Sequence, residues 1–164
     1  MRTFDDMLFT FLLFGTWFVI ALFWARQPRL PKDVTLFVVM LMSMIETILF
    51  TIATMTLRLV SFPEQPEMFV NHLLLRNVLR PTMYLFAVSA WFLSDARWKR
   101  WSGCAAVVLG RMLLTWTVER LGILKFEKIG YGHLVLGDIA LVALSVLAAC
   151  AFVRYTRGER GALA

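Results

Sequence analysis

From Val34 to Leu57 the chain carries a single charged residue, Glu46, in a run that is otherwise apolar or hydroxyl-bearing. About 18 or more mostly apolar residues have the length of a membrane-crossing helix. In hydrocarbon only a helix or a closed barrel satisfies every backbone N–H and C=O group. The pattern recurs, and five spans are expected: Met7–Ala25, Val34–Leu57, Val78–Leu93, Ser102–Val118 and His133–Val153. Composition agrees, with 60% hydrophobic and 17% charged residues where soluble domains have about 45–50% and about 25%. The expected fold is all-α: one integral membrane helical bundle over residues 1–164, with about five transmembrane helices and four as the lower count.

The third span is short and begins near Pro81, which suits the first turn of a helix. It is open to extension backward through Phe69–Asn77. The first span reads as a mature helix. Asp5 and Asp6 occupy the place of a basic leader, Phe23 and Ala25 make a poor cleavage site, and Thr3 with Asp6 suits a capping box.

Basic residues set the expected orientation. One set of connections and the C-terminus hold Arg26, Arg29 and Lys32, then Arg97, Lys99 and Arg100, then Arg154, Arg157 and Arg160, against three acids. The opposite side holds seven basic residues against six acids. Lys and Arg close to span ends favour the cytoplasm, which puts the N-terminus outside and the C-terminus inside a plasma membrane. Trp24, Trp98 and Trp101 then fall at the inner interface. The segment RWKRW reads as an inner basic interface (Arg97, Lys99, Arg100) touching anionic lipid, in preference to nucleic acid. In the outer segment SFPEQPEMFVNHLLLRNVLR, His72, Arg76 and Arg80 recur every four residues. That stripe reads as the headgroup-facing side of an interfacial helix.

Charges within the spans need partners, because one unmatched charge at mid-bilayer costs about 2.5–3.5 kcal/mol even on the lenient insertion scale. With about 100° per residue and Ser43 as zero, Glu46, Thr47, Thr51 and Thr54 share one face, which is expected to point into the bundle. A rise of about 1.5 Å per residue places Glu46 about 18 Å and Arg111 about 13–14 Å from the inner ends of their helices. The same ruler places Asp138 at about 22 Å and Arg80 at about 20 Å. The expected pairs are Glu46 with Arg111 and Asp138 with Arg80, with Asn77, Glu119 and His133 as a polar cluster further out. Arg111 shares its face with Cys104, Thr115 and Glu119.

No phosphate loop, dinucleotide fingerprint, serine elbow or zinc-protease motif is present. Two histidines, His72 and His133, are too few for a metal site, and no cofactor or metal is expected. Cys104 and Cys150 read as reduced, packed thiols. Ser145, Ala148 and Ala149 offer a small-residue surface for close helix contact.

Pro81 near the start of a span, the inner loop DARWKRW, a span ending at Glu119, a short outer loop and a last span ending VRYTR follow one another in order. In this order the second half of the chain, from about Phe69 to Tyr155, resembles uncharacterised small multi-helix membrane proteins of spore-forming Gram-positive bacteria. Where that family is aromatic-rich at the start of the last span, this chain reads GYGHLVLGD. The resemblance implies bacterial origin, membrane location and helical architecture, and no activity.

The expected function is that of a non-enzymatic multi-pass protein acting by association, as an accessory, scaffolding or sensory subunit. Its partners would be the bilayer itself and another membrane protein or further copies of the chain. The alternative is a small oligomeric transporter or channel whose path passes Glu46, Arg111, Asp138 and Arg80. A membrane-embedded enzyme and an RNA-binding surface rank below both.

Overall fold

The computed structural model describes residues 30–61, 73, 75–122, 124–126 and 129–162, and the isolated positions 10, 14, 15, 17, 18 and 21. Most of the expected first span, the Thr3–Asp6 capping box and the segment around His72 lie outside these residues. The six isolated positions are all helical.

Helix α1 runs Lys32–Thr51 and continues as a π-helical turn, Ile52–Thr56. A π turn at Leu75–Leu79 leads into α2, Arg80–Leu93. The three residues Ser94–Ala96 connect α2 to α3, Arg97–Arg120, and α4 spans Tyr131–Ala162. The chain is a helical protein, and among the described residues three helices are long and apolar enough to cross a membrane: Lys32–Thr56, Arg97–Arg120 and Tyr131–Thr156. The short third span is not among them. Its backward extension is helical through Leu75–Asn77, and residues 69–72 lie outside the described set. The only strand pairing among the described residues joins β1, Val60–Ser61, to β2, Lys125–Phe126, in antiparallel register.

Both wide turns have causes in the sequence. Pro81 has no N–H to give the carbonyl four residues back, and its ring crowds that carbonyl, so the preceding turn opens. In α1 the hydroxyls of Thr47, Thr51 and Thr54 each bond the carbonyl four residues earlier at 2.8 Å. Such back-bonding competes with the backbone ladder and bends helices. It also overturns one expectation: Thr47 and Thr51 are exposed, because each hydroxyl is satisfied by its own helix and needs no neighbour. The face of α1 that enters the core is Val34, Val38, Met42 and Glu46, at a strict four-residue interval. Helix α3 ends at Gly122, whose φ of 72° puts it in the left-handed region that glycine enters at least cost. Its N–H bonds the Glu119 carbonyl at 3.0 Å.

The bundle carries large apolar side chains on its outside and encloses ionic ones among its apolar core. Leu36, Met40, Met44 and Met55 on α1 and its π turn, Leu109 and Leu113 on α3, and Leu136 and Leu147 on α4 are each more than 60% exposed. Glu46 and Arg111 are only 4% and 3% exposed. Hydrocarbon outside and pairing inside explain this inversion.

Helix α2 lies at the centre and packs on α1, α3 and α4. Tyr84, Ala87 and Val88 are fully buried. Two apolar clusters result. The larger joins Val34, Val38, Met42, Tyr84, Val88, Val107, Val142, Val146 and Ala149. The smaller lies at the β1–β2 end and joins Val60, Leu75, Leu79, Val118 and Leu124. Phe37 stacks on Phe152 with centroids 4.4 Å apart, closing α1 against α4 at the end away from the strands. Ser145 and Ala149 are buried, as small residues at a close contact should be.

Helices α2 and α3 approach closely at Gly103, where a side-chain Cβ would stand 2.3 Å from the Ala90 Cβ. Neither atom can rotate away. Gly103→Ala is therefore expected to cost about 1–3 kcal/mol by overpacking, and Ala90→Gly in the same chain should return most of it. Denaturant unfolding of the purified variants in micelles reads this directly. Wild-type stability of the single variant would show that the helices part freely.

Candidate functional site

Four charged side chains from four helices meet in one chain of ion pairs. Glu46 comes from α1, Arg80 from the first residue of α2, Arg111 from mid-α3 and Asp138 from the second turn of α4. Arg80 Nη1 lies 3.2 Å from Glu46 Oε2. Arg111 Nη2 lies 2.8 Å from Glu46 Oε1 and 2.7 Å from Asp138 Oδ1, and Arg111 Nε donates to the same Asp138 oxygen at 2.8 Å. Tyr84 donates its hydroxyl to Glu46 Oε1 at 2.7 Å. Its ring lies beneath the Arg111 guanidinium, 4.5 Å from centroid to Cζ, a cation–π distance.

The geometry is local in origin. Tyr84 follows Arg80 by one helical turn, so both project from one face of α2 toward α1. Val107, Arg111, Thr115 and Val118 form the buried stripe of α3, which carries Arg111 between Glu46 on one side and Asp138 on the other. Two acids and two bases balance, which is the least costly way to hold four charges inside a membrane. Arg111 Nη1 is buried and has no hydrogen-bond partner among the described residues.

The expected pairing of Asp138 with Arg80 is replaced by this shared arrangement: Asp138 binds Arg111, and Arg80 binds Glu46. The depth ruler failed on α3 because it began at Ser102, whereas the helix begins at Arg97, which puts Arg111 about 21 Å from the inner end and level with Asp138. Arginine side chains also reach past the remaining offset. Arg80 turns into the bundle and away from the expected headgroup-facing stripe. Arg76 donates to Asn77 Oδ1 at 3.1 Å and lies 5.2 Å from the Phe50 ring centroid.

The expected outer cluster is not brought together. Asn77 accepts from Arg76, Glu119 accepts from the Tyr131 hydroxyl, and His133 is exposed. No hydrogen bond or ion pair among the described residues joins any two of the three. In the expected inner interface, Arg97 and Lys99 are exposed, while Arg100 Nε donates to the Ser94 carbonyl at 2.8 Å and ties the α2–α3 connection. Trp98 is 77% exposed, and Trp101 meets Trp91 edge-on at 5.6 Å. Sequence reasoning missed Tyr84. The available signal was its position one turn from Arg80 in an otherwise apolar helix.

Above the network lies a cavity of about 460 Å³. Its floor is Glu46, Arg80, Arg111 and Asp138, with Thr115 beside them. Its walls are Leu49, Phe50 and Ala53 of α1, Leu134, Gly137 and Leu141 of α4, and Leu59, Val60 and Leu124 at the strand pair. His133 stands at the same end. A ligand of small-molecule size fits such a volume. No family model matches the chain, and no curated protein or solved structure is found to be similar to it.

Proposed function

We propose that the chain is a non-enzymatic multi-pass protein of a bacterial plasma membrane that works by association, as a sensory or accessory subunit receiving its ligand on the outer side. The observation that carries this reading is what lies beneath the cavity. It runs from the strand pair to the charge network, and the buried residues Met42, Tyr84, Val88, Val142 and Val146 belong to one apolar cluster. A conducting route through one protomer would have to open that core and break a balanced set of ion pairs. Ligand occupancy against helices that also present large lipid-facing surfaces gives a means of influencing a neighbour in the bilayer.

Orientation follows from the basic and aromatic residues of the α2–α3 connection. Arg97, Lys99 and Trp98 are exposed together, a composition suited to the anionic inner leaflet. The cavity then faces outward, with the N-terminus outside and the C-terminus in the cytoplasm.

Two measurements test the reading. In a background lacking Cys104 and Cys150, an impermeant thiol reagent should label a cysteine at Gln65 in intact cells and spare one at Trp98. Reversed labelling would overturn the orientation. Proteoliposomes containing the purified chain should pass protons, sodium and amino acids no faster than empty vesicles, while the protein migrates in native-lipid particles as a complex larger than one protomer. A flux abolished by Glu46→Gln would replace this reading with the channel alternative.

A further inference from the structure

We infer that the cavity above the charge network binds a small zwitterion with an apolar body: an ammonium and an anionic group held on one short frame. The inference deepens the sensory reading and rests on it only for the side from which the ligand enters. It begins from the hydrogen-bonding capacity that the network leaves unused. Arg80 gives Nη1 to Glu46, and its Nε and Nη2 meet no acceptor among the described residues, although the side chain remains 18% exposed. Asp138 takes both Arg111 bonds on Oδ1, and its Oδ2 meets no donor among the described residues, with the side chain 11% exposed. A donor of positive charge and an acceptor of negative charge, neither matched among the described residues, thus line one cavity.

Thr115 adds a third unused group. Thr47, Thr51, Thr54, Thr82 and Thr117 all bond the carbonyl four residues back, the usual resort of a hydroxyl in an apolar helix. No such bond from Thr115 is found among the described residues, and the residue lines the cavity beside Arg111.

Charge balance selects the class of ligand. The floor is neutral as it stands, so a simple anion or a simple cation would bring one uncompensated charge to mid-membrane depth. A zwitterion brings none, and it meets Arg80 with its anion and Asp138 with its ammonium. The apolar walls, Leu49, Phe50, Leu134 and Leu141, suit the rest of the molecule. Gly137 also lines the cavity, and a Cβ placed there would meet nothing within 4 Å. This chemistry has two sources, a free amino acid from the aqueous phase and an aminophospholipid headgroup from the bilayer.

The full chain, in nanodiscs of phosphatidylglycerol, is titrated with L-leucine by calorimetry, alongside N-acetylleucine, which lacks the ammonium, and leucinamide, which lacks the carboxylate. In parallel, native mass spectrometry compares retention of phosphatidylethanolamine with that of its N-acetylated form and of phosphatidylglycerol. Saturable one-to-one binding is expected in one arm, at least tenfold weaker for each analogue lacking a charge, and the arm that binds identifies the source. Asp138→Asn and Thr115→Val should weaken it at least tenfold. Because Asp138→Asn also disturbs the network, Gly137→Phe serves as the second variant: it fills the chamber from an open position and should abolish binding with folded yield retained. Absence of saturable binding in both arms, discrimination below tenfold, or wild-type binding by folded Gly137→Phe would each overturn the site. Flux through proteoliposomes would instead overturn the sensory reading and leave a measured zwitterion site standing.

Discussion

Arg111→Gln is expected to lower stability by about 3–5 kcal/mol, the range for breaking a buried ion pair by removing one partner. The substitution strands Asp138 outright and takes one of two cationic partners from Glu46. Glu46→Gln should be nearly as damaging, because it leaves Arg80 unmatched and replaces the charged acceptor of the Tyr84 hydroxyl by a neutral amide oxygen. The double variant retains one base, Arg80, and one acid, Asp138, so the charge count is again level. Its loss should be smaller than the sum of the two singles, since contacting residues are non-additive. Folded yield by fluorescence-detected size exclusion, followed by denaturant unfolding in micelles, supplies the cycle. Simple addition of the two losses would mean that the residues do not interact in the folded protein. Arg80→Gln should be the mildest change in the network: Arg80 is the more exposed base, and Glu46 keeps Arg111 and Tyr84.

Tyr84 is the second sensitive position. It is fully buried and the largest such side chain, touching both charges with different parts of itself. Tyr84→Phe keeps the ring under Arg111 and loses one donor to Glu46, a change expected to cost about 1–2 kcal/mol. Tyr84→Ala also opens a hole at the centre of α2, where about 3–5 kcal/mol is expected. The same unfolding measurement separates the two contributions. Equal losses for Phe and Ala would show that the hydroxyl, and not the ring, holds the site together.

Much of the site was legible because charge inside an apolar run is so costly that its presence is informative. Glu46, Arg80, Arg111 and Asp138 could each be singled out for that reason, and the structure brings all four within one network. What the spacing could not supply was the pairing. A depth count along each helix needs a common origin, and apolar composition places span ends several residues from helix ends, as α3 and α4 both show. Rotation was also misjudged on α1. A run of threonines suggests the bundle face, yet a threonine hydroxyl can close on its own helix, whereas a carboxylate cannot. Glu46, at the edge of that polar face, was the better guide to where the neighbours lie. The outer cluster of Asn77, Glu119 and His133 fared worst, because residues near helix ends have nearby partners that no periodicity reveals, such as Arg76 and Tyr131.

Helix α2 carries a consequence for how the protein is made. It is the innermost helix and, in a bundle whose other three helices each have the length and apolarity to enter a bilayer alone, it lacks that self-sufficiency. It begins with Arg80 and has only the three-residue Ser94–Ala96 connection before α3. A nascent chain therefore has little reason to release α2 into lipid as an independent segment. It would stay beside the insertion machinery until α3 follows, and enter with it as a hairpin in which Glu46, already in place on α1, receives the arginine. On the membrane reading proposed for the chain, insertion and tertiary assembly are then a single event for this segment, and a defect in the ion network would surface first as a failure of biogenesis.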